Sequence, residues 1–257
     1  MPGWLQRLRR AGERRALSRR PIPDSLWTQT LERHAFIGRR STDDLQRLRQ
    51  LSSLFLDRKQ FSGAHGLVIT DAMAVAIAAQ ACLPVLHLGL NWYDGFVGIV
   101  VHDDQVQVKR EYMDDAGVVH EFDDVLSGEA MDGGPVMLSW RDVDLAGESS
   151  AWGYNVVVHE FAHVLDMADG EANGMPPLRS SAERKHWQMV LKASHDRFRR
   201  RVASGRTVID PYGAESAEEF FAVSSEAFFT APQDLSAEMP AWYKLLAGFY
   251  RQDPAAG

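Results

Sequence analysis

The chain has 257 residues, of which 45% are hydrophobic, with one cysteine and a formal net charge of −7 at pH 7. That much apolar material fills one complete core, whereas two fully separate domains would be cramped. A lone cysteine excludes an intramolecular disulfide and a thiolate metal cluster, and the apolar stretch from Ala74 to Leu90 is broken by Gln80, Pro84 and His87, short of the roughly 20 residues a membrane span needs.

Charge is uneven: residues 1–60 carry 14 Lys+Arg against 6 Asp+Glu, and the remainder carries 14 against 29. Residues 1–20 form an Arg-rich leader that is expected to be flexible and contains no signal-peptide core, so the expected location is the cytoplasm. The acidic remainder argues against direct nucleic-acid binding. Residues 21–257 read as a single catalytic domain with an N-terminal helical part (21–94) and a C-terminal helical part (181–257).

Within that domain, Trp27, Leu31, Leu45, Leu48, Leu51 and Phe55 recur at mostly helical spacing. A further helix is predicted over Thr70–Gln80 with Asp71 at its start, and Pro84 should push the chain toward extended structure. Gly95–His102 and Gln105–Tyr112 are rich in Val and Ile and flank Asp103-Asp104, which predicts a hairpin, joined by Val118–Phe122. Gly133–Trp140 reads as one more strand, a candidate sheet edge for binding extended peptide beside the site. After a loop over Asp169–Pro177, a charged helix is predicted over Ser181–Ser204, helices resume near Ala214, and Leu235–Tyr250 predicts a closing helix.

Chemistry concentrates in His159-Glu160-Phe161-Ala162-His163. On a helix, positions i and i+4 share a face, so both imidazoles reach one metal ion from a rigid support, as in the zinc-protease pattern H-E-x-x-H. Glu160 lies about a quarter turn away, poorly placed as a ligand but close enough to take a proton from a water on the metal. Asp166 falls on the histidine stripe and is expected either to orient an imidazole or its neighbours, or to be a solvated acid near the helix end. A catalytic zinc needs a third protein ligand. The extended pattern with a third histidine is absent, because Asp166 and Asp169 stand at its glycine and histidine positions. A downstream carboxylate remains: Glu219 and Glu226 share a face with Ala222 and Val223, Glu219 being favoured, while Glu215 and Glu218 suit the positive end of a helix.

Several segments together carry a family resemblance: Gln80–Pro84, Asn91–Gly95, Gly134-Pro135 with Leu138–Trp140, Gly153–His163, and Tyr212–Phe221. From about Pro21 to Phe249 the sequence resembles the Mlc titration factor A family of glucose-regulated zinc metallopeptidases. The Tyr-x6-Glu-Phe-Phe-Ala spacing is also similar to the catalytic domain of anthrax lethal factor. The resemblance implies an α+β, zincin-like fold of the gluzincin type, in which a small mixed sheet is flanked by helices. It implies one Zn2+ per chain held by His159, His163 and Glu219, with Glu160 as catalytic acid/base and Tyr212 aiming a hydroxyl at the tetrahedral intermediate. The implied activity is aminopeptidase-like cleavage of peptides. The alternative is a regulatory protein that sequesters a sugar-responsive transcriptional repressor and thereby affects sugar phosphotransferase uptake.

Overall fold

A side-chain cap marks the start of the longest N-terminal helix. The first helix, α1 (Asp24–Arg33), is followed by the short α2 (Ala35–Gly38) and by α3 (Thr42–Arg58), where the Ser41 side chain accepts from the Asp44 amide. These and all later details come from a computed structural model that describes residues 17, 19–113, 119–126, 128–130, 133–150 and 153–256, with the backbone alone at 106–113 and 119–126. Most of the Arg-rich leader therefore lies outside the described residues. At its described end, Arg20 donates to the Leu56 carbonyl and Arg19 faces Asp57 on α3.

Beyond α3 come strand β1 (Gln60–Gly63) and helix α4 (Asp71–Cys82), which Thr70 caps by accepting from the Met73 amide. Pro84 does not lead into extended structure. The chain after Cys82 coils through successive turns, with Gly89 N–H bonded to the Val85 carbonyl, and Leu83, Val85 and Leu86 are fully buried. Burial of these side chains outweighs the local preference of the residue before proline.

The predicted hairpin is replaced by a different pairing. Strand β2 (Gly98–His102) runs parallel to β1, with Ile99 opposite Phe61, while β3 (Val106–Met113) and β4 (Val119–Leu126) form their own antiparallel ladder. Strands β5 (Gly128–Ala130) and β6 (Val136–Ser139) complete a mixed sheet of order β1-β2-β6-β5, in which β6 runs parallel to β2 and antiparallel to β5. Ile99, Val101, Val136 and Leu138 are buried, as expected of strands that lie between neighbours. Because β6 is paired on both sides, it is no edge; among the described residues β5 is.

Helices α5 (Trp140–Ser149), α6 (Val156–Asp166), α7 (Ser181–Ala203), α8 (Ala217–Thr230), α9 (Pro232–Glu238) and α10 (Pro240–Tyr250) follow. A reciprocal Ser180–Glu183 capping box starts α7. The single closing helix expected over Leu235–Tyr250 is two helices, because Pro240 has no N–H to continue the ladder and Met239 before it adopts φ −133. Phe161 of α6 packs with Tyr93, Phe55 and Phe96 at ring-centroid distances of 4.9, 5.6 and 5.8 Å, so the motif helix is anchored in the core by its face opposite the histidines. Among the described residues no helix is long and apolar enough to cross a membrane. The architecture is α+β.

Candidate metal centre

Two crossing helices, α6 and α8, build the site. Asn155 caps α6: its side-chain oxygen accepts from Val158 N–H at 2.8 Å, which places His159 and His163 on the first and second turns with their rings 4.8 Å apart. Ser216 caps α8 by accepting from the Glu219 amide, which brings Glu219 into the first turn facing the two rings. The ring nitrogens His159 Nε2 and His163 Nε2 are 3.1 Å apart, and Glu219 Oε2 lies 3.1 Å from the first and 3.5 Å from the second.

These spacings suit an ion. Donors held about 2.0–2.1 Å from a tetrahedral cation stand about 3.3 Å from one another. The opposite ring nitrogen of His159, Nδ1, is 2.7 Å from Glu226 Oε1, and a carboxylate can only accept, so the His159 proton sits on that side. In the neutral ring the Nε2 lone pair then faces Glu219 Oε2, a buried oxygen 3.1 Å away. Two acceptors at that distance require a cation between or on them. The electrostatics agree. Burial would lower the His159 pKa, but Glu226, Glu219 and Glu160 together hold it well above the ordinary imidazole value. Burial likewise opposes ionisation of Glu219, yet the two histidines outweigh it and keep that carboxyl well below its usual range.

Glu160 points to the neighbouring side of α6 and is 5% exposed; burial pushes its pKa up to about 7, against the pull of both histidines. Gly128 of the edge strand β5 lies directly against it: a Cβ built there would stand 2.5 Å from Glu160 Oε1. Val164, four residues beyond Glu160, and Met167, just past the helix end, join Trp92, Phe96 and Val136 around a cavity of about 470 Å³. Tyr212 sits in a 3₁₀ turn (Pro211–Ala214) fixed by its N–H bond to Asp210, with its ring centroid 6.2 Å from that of His159.

The structure thus gathers His159, Glu160, His163, Tyr212 and Glu219 at one place. It reassigns two other acids. Asp166 orients no imidazole and is not solvated: it is fully buried and accepts from the Gly174 and Met175 amides, both at 2.7 Å, tying the loop after the motif to the helix end. Glu226, weighed above as an alternative ligand, instead bonds His159 Nδ1 and the Asn155 N–H. Its seven-residue spacing from Glu219 signals a shared face, but which atom it meets depends on how α8 crosses α6. Sequence reasoning also missed Gly128, since β5 is too short to show periodicity.

Comparison with known sequences agrees with this geometry. The profile described as glucose-regulated metallo-peptidase M90 matches residues 7–251. The chain is 37% identical to an uncharacterized protein of Synechocystis over 98% of its own length and 91% of that protein's. It is also 37% identical to Mlc titration factor A of Yersinia pestis, over 82% of this chain and 78% of the relative.

Proposed function

The chain belongs to the glucose-regulated metallo-peptidase M90 family, and from that premise we propose that it is a zinc-dependent peptidase of zincin-like, gluzincin type, acting in the cytoplasm on the amino-terminal end of peptides. The observation that carries this reading is the convergence of His159 Nε2, His163 Nε2 and Glu219 Oε2, with a buried carboxylate beside them. His159, His163 and Glu219 would hold the zinc ion, which when bound acidifies water and polarises a carbonyl.

Glu160 takes the proton from the attacking water and delivers it to the leaving amine, a double use that suits a carboxyl whose pKa lies near neutrality. Tyr212 donates its phenolic proton in a hydrogen bond to the developing oxyanion. Glu226 keeps the His159 proton on Nδ1, so that Nε2 remains a ligand. Substrate lies extended along β5, hydrogen-bonded to the edge of the sheet, and places an apolar side chain in the cavity beside Val164 and Met167. The lack of a side chain at Gly128 leaves room for Glu160 at this edge.

The test is elemental analysis of the wild type and of Glu219→Ala, paired with hydrolysis of fluorogenic amino-acid and peptide substrates. One zinc ion per chain, lost in the variant, together with metal-dependent turnover, is the expected outcome. Full metal retention in the variant would remove Glu219 from the ligand set, and tight zinc without turnover would defeat the peptidase reading.

A second reading comes from the relative named Mlc titration factor A: the chain binds a transcriptional repressor independently of hydrolysis. Capture of the repressor by Glu160→Gln as efficiently as by the wild type supports it; loss of capture in that variant refutes independence.

A further inference from the structure

A second cavity has no part in the chemistry above. It is a groove of about 750 Å³ between α7 and α10, lined also by residues 177–179. Its floor is apolar: Trp92 meets the Phe249 ring edge-on at a centroid distance of 5.7 Å, Phe249 meets Trp187 at 5.6 Å, and Leu178, Val190 and Leu245 continue the surface. Its rim is basic. Arg179, Lys244 and Arg251 stand around it against a single acid, Glu183, whose carboxylate is bonded to the Ser180 amide of its own capping box. Among the described residues none of these three cations has a carboxylate partner, although residues 61–257 carry 29 acidic against 14 basic residues. A cationic rim on an acidic body is a selective electrostatic feature.

Gly248 is an independent sign. It lies inside α10, is exposed in the groove, and a Cβ added there would meet nothing within 4 Å. Glycine within a helix weakens it relative to alanine, and no contact among the described residues requires one here. Its bare backbone lets another chain approach closely. The 11 residues of α10 span about 16 Å, room for a helix of about three turns lying alongside.

We propose that this groove docks an amphipathic helix of a partner protein, apolar on one face and carrying Asp or Glu on the flanks that meet Arg179, Lys244 and Arg251. Trp92 and Pro177 also border the cavity lined by Val164 and Met167, so a chain leaving the groove past them enters that cavity. Docking itself needs no metal ion and no hydrolysis.

Fluorescence anisotropy of the full chain tests it with a labelled peptide of about 18 residues, Leu at i, i+3, i+4 and i+7 and Glu elsewhere, and with the same peptide carrying Lys for Glu. The acidic peptide should bind at least about tenfold more tightly, and added salt should narrow the gap. Arg179→Glu with Lys244→Glu should abolish the preference. Gly248→Ala should raise the melting temperature yet weaken binding, an opposite pair of effects that misfolding cannot produce. Glu160→Gln and chelator treatment should leave peptide binding unchanged, which separates docking from peptidase activity. Equal binding of both peptides, or unchanged binding by the rim and Gly248 variants, would overturn the proposal. So would a dimer that dissociates on Lys244→Glu, since a second copy would then fill the groove.

Discussion

Two pairs of helices organise the C-terminal half in opposite ways. Where α6 meets α8, ionisable groups are buried and linked to one another: His159 to Glu226, Glu226 to Asn155, and Asn155 to Gln80 at 2.7 Å on α4. Where α7 meets α10, the interior is aromatic and the charges stand outside at the rim. The first arrangement suits chemistry, because a buried polar network has few alternative geometries and fixes its members. The second suits recognition, because exposed cations attract a partner without being locked in place. The contrast also predicts where substitutions are costly.

The largest separation between the two regions should come from Glu160→Gln. If proton transfer resides in the α6 carboxylate, turnover should fall by about 10²–10⁴-fold with metal content unchanged. Steady-state kinetics alongside elemental analysis checks this; retained turnover would mean that the buried region is not where the chemistry occurs.

A second effect concerns how far the buried network extends. His34, between α1 and α2, is fully buried with Nε2 3.5 Å from the Gln80 amide, and burial, assisted by Arg33, lowers its pKa from 6.5 to about 4. The unfolded chain therefore binds more protons than the folded one between those two values. This contribution to stability is complete above pH 6.5 and is lost as pH falls to 4, amounting to about 3 kcal/mol. Urea denaturation at pH 7 and pH 4 should show a smaller acid-induced loss in His34→Gln than in the wild type. Equal losses would remove His34 from the account.

Glu226→Gln should have a smaller effect that sharpens the comparison further. The carboxylate accepts from both His159 Nδ1 and Asn155 N–H, whereas a Gln amide offers one acceptor and one donor, so one of the two N–H groups loses its partner. Zinc affinity, measured by competition with a chromophoric chelator, should fall by about 10–100-fold, with the helix content of the circular dichroism spectrum retained. Wild-type affinity would show that Glu226 does not position His159.

Much of the site is legible in the chain because its spacing is local. Four residues separate His159 from His163, and a helix of any origin puts them on one face. The caps Asn155 and Ser216, three residues before the amides they bond, were seen only in the structure. Tyr212 and Glu219 followed from a family pattern that places them seven apart, and the fold does bring both to the histidines. The strands were less readable. Val- and Ile-rich runs identify β2 and β3 as extended but cannot say whether they pair with each other, and in the fold β2 is drawn between β1 and β6, where both its edges are paired.

What the sequence determined by itself is therefore the chemistry of single elements: two imidazoles and a carboxylate on one helix, and the carboxylates available downstream. Tertiary structure decided the rest. It separated Glu219 from Glu226, although both lie on the same helix face, by setting the crossing of α8 over α6 so that one carboxylate meets Nε2 and the other Nδ1 of His159. It also moved the sheet edge from β6 to β5 and brought Gly128 against Glu160. Both outcomes depend on contacts between residues far apart in the chain, which are selected by burial of the whole core and carry no local period for a sequence to display.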